Sequence, residues 1–270
     1  MQKICLRLKG KKNIAVVPTM GFLHEGHLRL VKKAQLKADV VIVTIFINPA
    51  QFGKNEDLKT YPRDEKGDLA KLKKLAVDYV FVPQASAIYT QDYQTYVDVT
   101  VASQGLCGEK RPEHFRGVAT VVLKLLQITQ PDYAVFGQKD YQQLVLIKQM
   151  VKDLNIPVKI VGMPIIREKD GLAMSSRNAY LSVSERKLAL GLQKGLKQVK
   201  IACQDGASNI SVLKKVFLRA MQKNAKVKVD YIEIVHKDQL TALKKYQPHN
   251  SLVAVAVFVG KTRLIDNIVV

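Results

Sequence analysis

The sequence predicts an α/β protein in which a doubly wound parallel sheet is followed by a smaller α+β domain. Up to about residue 165, short apolar runs rich in β-branched residues alternate with segments of helical periodicity. The run at residues 40–47 is apolar on both faces, which is typical of a strand inside a parallel sheet. After residue 165 two helical segments come first, and three strands, the first of alternating polarity, follow towards the C-terminus.

The first predicted domain covers residues 1–165. Its predicted strands are residues 14–17, 40–47, 79–82, 133–136 and 158–161, with an edge strand at 97–101. One helix is predicted directly after His24 and His27. Three more are predicted at residues 68–77, 118–129 and 137–154. Residues 105–117 are rich in glycine and cations and are interpreted as a long functional loop.

The second predicted domain covers residues 166–270. Ser182 and Glu185 have the spacing of a capping box, which predicts a helix from there to about residue 203. A second helix is predicted at residues 208–224. Strands are predicted at residues 229–236, 252–259 and 264–270.

Composition and charge limit the function. The formal charge of +20 suits nucleic acid, an acidic membrane surface or anionic small substrates. The lysines are spread along the chain instead of forming one arm with aromatic residues, so we expect no nucleic-acid partner. There is no apolar run of roughly eighteen residues and no signal-like N-terminus, which predicts no membrane partner. Three scattered cysteines suit a reducing, cytoplasmic location.

The stretch from Val16 to Leu30 holds the first candidate site. An apolar strand ends near Pro18, and His24 and His27 then stand three residues apart where a helix begins. The N–H groups of a first helical turn bind anions, so the pattern indicates a phosphate site. Two alternatives stay open: a metal site, although two histidines do not complete one, and ordinary surface histidines.

Two further clusters accompany the histidines. Gly137–Gln–Lys–Asp140 repeats the arrangement of strand, glycine and helix start, and Met174–Ser–Ser–Arg177 opens the second domain. Together the three clusters resemble the nucleotidyltransferase superfamily, in which an H-x-G-H motif and a mobile K-M-S-K-S-like segment surround ATP. That resemblance implies a Rossmann-like first domain.

Five longer blocks of the sequence are similar to one family, the pantoate–β-alanine ligases. The similar blocks are residues 17–27 (VPTMGFLHEGH), 46–53 (FINPAQFG), 61–63 (YPR), 111–120 (RPEHFRGVAT) and 174–181 (MSSRNAYL). The resemblance implies that ATP activates (R)-pantoate as a pantoyl-adenylate with release of diphosphate, and that β-alanine then gives pantothenate and AMP. It also implies a homodimer.

The resemblance assigns roles to individual residues. His27 is the implied proton donor. His24, Lys139 and Arg177 are the other implied catalytic residues. Gln51 and Gln143 are the implied pantoate ligands, and Gln51 also borders the β-alanine site. The implied ATP-binding residues are Thr19, Met20, Gly21, His24, Gly26, His27, Gly137, Gln138, Lys139, Asp140, Ile166, Met174, Ser175, Ser176 and Arg177.

Mg²⁺ is expected on the ATP phosphates. Its protein ligands are not assigned, and the stretch after Tyr61–Pro–Arg63 offers Asp64 and Asp68. Arg111, His114 and Arg116 are expected to contact anions near pantoate. Gln138 stands where the family often has glutamate, Phe22 replaces a usually smaller residue, and Ile166 is bulkier than the common valine.

The nearest rival function is another adenylating enzyme of the superfamily, including a small aminoacyl-tRNA-synthetase-like protein. A nucleic-acid-binding protein is suggested by charge alone.

Overall fold

The computed structural model describes residues 1–54, 56–221 and 224–270. It divides into two compact units. The first comprises Met1–Gln104, Gly108–Gln138 and Gln143–Pro164, and the second comprises Gly105–Cys107, Lys139–Gln142 and Ile165–Val270. The sequence-based boundary between residues 165 and 166 stays a prediction, because the second unit also includes residues 105–107 and 139–142, which a single cut in the chain cannot represent.

The first unit contains a five-stranded parallel sheet. Its strands are β1 (Ile14–Thr19), β2 (Val40–Ile45), β3 (Tyr79–Phe81), β4 (Tyr133–Gly137) and β5 (Lys159–Met163). Their order is β3-β2-β1-β4-β5, so the chain reverses its direction of winding beside β1. This confirms the predicted doubly wound sheet. Ligands of such sheets bind at the carboxyl ends of the strands near this reversal. A ligand is therefore expected at the ends of β1 and β4.

Helices connect the strands. They are α1 (Gln2–Leu8), α2 (Glu25–Gln35), α3 (Glu65–Lys74), α4 (Ala85–Ile88), α5 (Leu106–Lys110), α6 (His114–Thr129) and α7 (Tyr141–Asp153), with 3₁₀ turns at Pro49–Gln51 and Gln138–Asp140. Helix α3 begins earlier than predicted because Asp64 caps it, its carboxylate accepting the backbone N–H of Gly67 at 3.0 Å.

Two sequence-based expectations for residues 1–165 are wrong. Residues 97–101 form no strand, because the N–H of Val97 donates to the hydroxyl of Thr120 on α6 at 3.0 Å instead of pairing with a sheet. Residues 105–117 are not one loop, since they contain α5 and the start of α6. Gly108 allows this compact path, because a side chain there would collide with the backbone carbonyl of Ser103.

The second unit packs helices against an antiparallel sheet. Its elements are α8 (Val183–Ala189), α9 (Gly191–Gln204), α10 (Ile210–Ala220), β6 (Val227–His236), β7 (Ser251–Val259) and β8 (Thr262–Val269), with sheet order β6-β7-β8. The capping box is confirmed, since the Ser182 hydroxyl accepts the N–H of Glu185 and the Glu185 carboxylate accepts the N–H of Ser182. The predicted single helix is divided at Leu190, and residues 222–223 of the next predicted helix lie outside the described residues.

Buried aliphatic side chains form a separate core in each unit. In the first unit they come from β1, β2, α2 and α3, with Leu72 fully buried. In the second unit Leu196 and Phe217 lie between the helices and the sheet. Within the described residues, no helix is both long and apolar enough to cross a membrane.

Candidate active site

The chain turns sharply after β1. Gly21 has φ 82°, and Phe22 has φ 50°, a value that non-glycine residues adopt rarely. A side chain at position 21 would lie 3.0 Å from the Ile45 side chain. The Thr19 hydroxyl donates to the carbonyl of Thr44 at 2.7 Å and accepts the N–H of Gly21 at 3.2 Å. These contacts fix the path that leads into the two histidines.

A buried carboxylate holds the same turn from the side. Asp68 on α3 is 1% exposed, and its two oxygens accept the backbone N–H groups of Phe22 and Leu23, each at 2.7 Å. The Lys71 ammonium donates to the carbonyl of Leu23 at 2.9 Å. Sequence reasoning missed this role because Leu23 and Asp68 are 45 residues apart.

A contact between His24 and His27 marks the start of α2. His27 Nδ1 accepts the backbone N–H of His24 at 3.3 Å. The rings stack with centroids 4.0 Å apart. Because Nδ1 of His27 is the acceptor, the ring hydrogen is on Nε2, which makes Nε2 the donor. The backbone N–H groups of Glu25 and Gly26, in the first turn of α2, have no intrahelical acceptor and suit an anion.

The turn after β2 positions Gln51. Asn48 is 1% exposed and caps this 3₁₀ turn, donating to Gln51 Oε1 at 3.1 Å. The Tyr89 hydroxyl donates to Asn48 Oδ1 at 2.8 Å. Gln51 Nε2 lies 3.2 Å from the sulfur of Met20. The structure therefore brings a predicted pantoate ligand beside a predicted ATP-binding residue, at the carboxyl ends of two neighbouring strands.

Two side chains from the α5–α6 region hold the backbone of Gln51. The Arg111 guanidinium donates to the carbonyl of Gln51 at 3.1 Å, and His114 Nδ1 lies 2.8 Å from the same oxygen. Arg111 also makes a two-pronged ion pair with Glu56. Burial opposes ionisation of Glu56, but the hydrogen bond and charge of Arg111 outweigh it and lower the pKa of the Glu56 carboxyl.

Arg116 has a different environment. It lies 3.6 Å from a carboxylate oxygen of Asp98 and stacks over the Tyr96 ring at 4.5 Å. The expected anion contacts of Arg111, His114 and Arg116 stay predictions, and the structure shows protein partners for all three.

The turn after β4 carries the second cluster. Gly137 ends the strand, and Gln138–Asp140 is the 3₁₀ turn that precedes α7. Lys139 Nζ lies 3.2 Å from Asp140 Oδ2, and Asn267 donates to the carbonyl of Lys139 at 2.9 Å. Asn267 was not singled out from the sequence, since no motif marks its position on β8.

Gln143 lies in the first turn of α7 and is half-buried. The neighbouring Gln142 is buried and acts on the backbone instead: its amide accepts the N–H of Cys107 at 3.0 Å and donates to the carbonyl of Gly105 at 3.2 Å. The two adjacent glutamines therefore have different environments.

A short hairpin carries the third cluster. The N–H of Met174 donates to the carbonyl of Ile166 at 3.0 Å, and Arg167 pairs with Ala173. The hairpin places Ile166 directly beside the segment Met174–Ser–Ser–Arg177. Within that segment, the Ser175 hydroxyl accepts the N–H of Arg177 at 3.3 Å, and Ser176 is 7% exposed. All five residues predicted for ATP in this part of the chain are therefore local neighbours.

Ion pairs and one amide hold the hairpin. Arg167 makes a bidentate pair with Asp266, at 2.7 and 3.0 Å. Asn178 donates to Glu168 at 2.7 Å and to the carbonyl of Ala173 at 3.0 Å. Arg186 pairs with Glu168. These contacts fix both ends of the segment from residue 174 to residue 177.

The two carboxylates considered for Mg²⁺ both bind backbone N–H groups. Asp64 caps α3 through one oxygen, and Asp68 holds the histidine turn through both. The Mg²⁺ expectation stays a prediction. Among residues 1–54, 56–221 and 224–270, no group of three or more His, Cys, Asp or Glu side chains could hold a metal ion. The two histidines likewise have no further ligand of these types beside them in the described part of the chain.

Comparison with known proteins agrees with this geometry. The family model for pantoate–β-alanine ligase matches residues 1–269. A pantothenate synthetase of Caldicellulosiruptor saccharolyticus is 52% identical over 271 aligned positions, covering 100% of this chain and 96% of the relative. One of Pseudothermotoga lettingae is 48% identical, covering 99% and 95%.

Solved structures show the same fold. A pantothenate synthetase from Thermus thermophilus has a TM-score of 0.92 at 39% identity, covering 98% of this chain and 96% of that one. A pantoate–β-alanine ligase from Francisella tularensis, described as complexed with β-γ ATP and β-alanine, has a TM-score of 0.81 at 38% identity, covering 99% and 94%. The chain therefore belongs to the pantoate–β-alanine ligase family, whose members are enzymes.

Proposed function

We propose that this chain condenses (R)-pantoate with β-alanine, using ATP and passing through a pantoyl-adenylate. The observation that carries the proposal is the histidine turn at the end of β1. There the stacked imidazoles, the Nε2 donor of His27 and the N–H groups of Glu25 and Gly26 form a site for phosphate. Family membership supplies the substrates.

In the first step a pantoate carboxylate oxygen attacks the α-phosphorus of ATP. A new P–O bond forms, the bond to the β-phosphate bridging oxygen breaks, and diphosphate leaves with that electron pair. Negative charge grows on the transferring and leaving phosphates, so fixed donors lower the barrier. His27 Nε2–H and His24 supply donors from the turn. Lys139 supplies a positive charge.

In the second step the neutral amine of β-alanine attacks the acyl carbon of the adenylate. The C–N bond of pantothenate forms, the C–O bond to phosphate breaks, and AMP leaves while the amine releases a proton. Gln51 binds pantoate and borders β-alanine, because an amide offers a donor and an acceptor without adding charge. Gln143 is the second pantoate ligand.

The remaining predicted residues bind the nucleotide. Ile166 presents its backbone to adenine, and Asp140 accepts hydrogen bonds from the ribose hydroxyls. Met174, Ser175, Ser176 and Arg177 bind the triphosphate. The nucleotide-binding site is also lined by backbone and side chains of Thr19, Met20, Gly21, Gly26, Gly137 and Gln138.

Three further features complete the proposal. Mg²⁺ would accompany ATP and neutralise part of the phosphate charge, with no protein ligand assigned to it. The active form is a homodimer, as the family resemblance implies. The location is the cytoplasm, which suits the three unpaired, buried cysteines.

Exchange of labelled diphosphate into ATP tests the proposal. The expected result is exchange that depends on pantoate and occurs without any amino acid. Exchange that requires an amino acid instead would support the rival aminoacyl-adenylating enzyme. Tight, salt-dependent RNA or DNA binding that persists in His27→Ala, without exchange, would support the nucleic-acid-binding alternative.

A further inference from the structure

We infer that Asp68, assisted by Lys71, is a positioning residue for the catalytic turn that carries His24 and His27. The inference rests on the proposed role of that turn in adenylate formation. Asp68 acts through the backbone that precedes the histidines and touches no reacting atom.

The geometry of the carboxylate supports this role. Asp68 is 1% exposed, and each of its oxygens accepts one backbone N–H, from Phe22 and Leu23, at 2.7 Å. Two bonds from one rigid group to consecutive N–H groups fix the rotation of that peptide segment. Phe22 has φ 50°, a conformation that costs energy unless surrounding contacts impose it. The carboxylate thus stabilises the strained residue from which the chain enters α2.

Lys71 completes the contact. Its ammonium donates to the carbonyl of Leu23 at 2.9 Å and lies 3.6 Å from Asp68, so it offsets the buried charge while holding the next peptide unit, which joins Leu23 to His24. The next residue, His24, is the N-cap of α2 and bonds to His27. Rotation at Leu23 would therefore move the N–H that orients His27.

The space around Gly21 is tightly filled. A side chain at Gly21 would lie 3.1 Å from an Asp68 oxygen and 3.0 Å from Ile45. The turn is closed on one side by β2 and on the other by α3. Misplacement of a catalytic group by about 1 Å can lower a rate about 100-fold, so a contact that acts only on orientation can matter to catalysis.

A double-mutant cycle in the full-length chain tests the inference. Pantoate-dependent exchange of diphosphate into ATP is measured for the wild type, Asp68→Asn, His27→Ala and the double variant. Asp68→Asn keeps the shape but replaces one acceptor by a donor. It is expected to lower exchange about 10- to 100-fold in the wild type, with the KM for pantoate unchanged, and about threefold or less in the His27→Ala background.

The control is Asp132→Asn. Asp132 also accepts a backbone N–H, from Ile14 at 2.7 Å, but at the amino end of β1. It is expected to leave exchange unchanged in both backgrounds. Equal losses from Asp68→Asn in both backgrounds would overturn the inference, since a purely structural effect is additive. Wild-type exchange in His27→Ala alone would instead contradict the proposed role of the turn.

A second variant covers the case in which Asp68→Asn does not fold. Lys71→Met removes a partly exposed side chain and opens no core, yet it removes the bond to the Leu23 carbonyl. It is expected to lower exchange several-fold in the wild type and not in His27→Ala. Unchanged exchange in Lys71→Met, with Asp68→Asn unfolded, would overturn the inference.

Discussion

His27 Nδ1 accepts the backbone N–H of His24 at 3.3 Å, so this contact orients the ring and leaves the ring hydrogen on Nε2. We therefore expect His27→Ala to lose at least about 100-fold in pantoate-dependent exchange, since removal of one transition-state donor costs about that much. Thermal unfolding should stay close to wild type, because His27 is only half-buried at a helix start. His249→Asn is the control, at an exposed histidine whose left-handed backbone asparagine tolerates.

Gly117 lies against the turn that carries Gln51. A side chain there would lie 2.7 Å from the Gln51 nitrogen and would collide with the Ala50 carbonyl. Gly117→Ala is expected to lower the melting temperature by several degrees, as overpacking costs about 1–3 kcal/mol, and to raise the KM for pantoate. Gly53→Ala is the matched control, since its new methyl group would make only ordinary contacts at 3.7 Å. A normal KM in Gly117→Ala would show that the Gln51 turn does not depend on this close approach.

Glu56 gives a pH-dependent contribution to stability. Its pKa is lowered from an ordinary 4.5, so the contribution is full above that value and is lost as the pH falls through the lower folded-state pKa. Glu56→Gln should reduce the free energy of unfolding by about 1–3 kcal/mol at pH 7. The difference from wild type should shrink steadily as the pH falls below 4.5. Glu109→Gln, at an exposed pair, should show almost no difference at any pH.

Asn178 ties the Met174–Arg177 segment to its hairpin through Glu168 and the Ala173 carbonyl. Asn178→Ala should raise the KM for ATP several-fold, because the segment loses its fixed end, while the KM for β-alanine stays unchanged. Asn209→Ala removes the cap of α10 and should cost about 1 kcal/mol of stability without changing either KM. Parallel changes in both variants would mean that the ATP effect is only a loss of stability.

The sequence predicts most of the first unit because its signals are local. The apolar run from Val40 and the glycine at Gly137 mark their elements without reference to distant residues. The expected strand at Val97 fails for the opposite reason, since the partner of that backbone is the Thr120 hydroxyl on α6. A β-branched run cannot reveal such a partner.

The sequence likewise reveals some residues of the candidate site and not others. His24, His27 and the Met174–Arg177 segment stand out by their spacing. Asp68 does not, because a lone aspartate in a helical pattern looks like solvated surface until its two backbone partners are known. Asp68 is a candidate Mg²⁺ ligand by its charge, and in the structure its carboxylate binds two backbone N–H groups.

The central claim is that this chain joins pantoate to β-alanine by way of an adenylate, and release of AMP from ATP tests it most directly. With pantoate and β-alanine together, AMP should accumulate in proportion to pantothenate. With pantoate alone only a single turnover's worth of adenylate should form, and with β-alanine alone there should be no reaction. Steady AMP release with β-alanine alone, or none with both substrates present, would contradict the account.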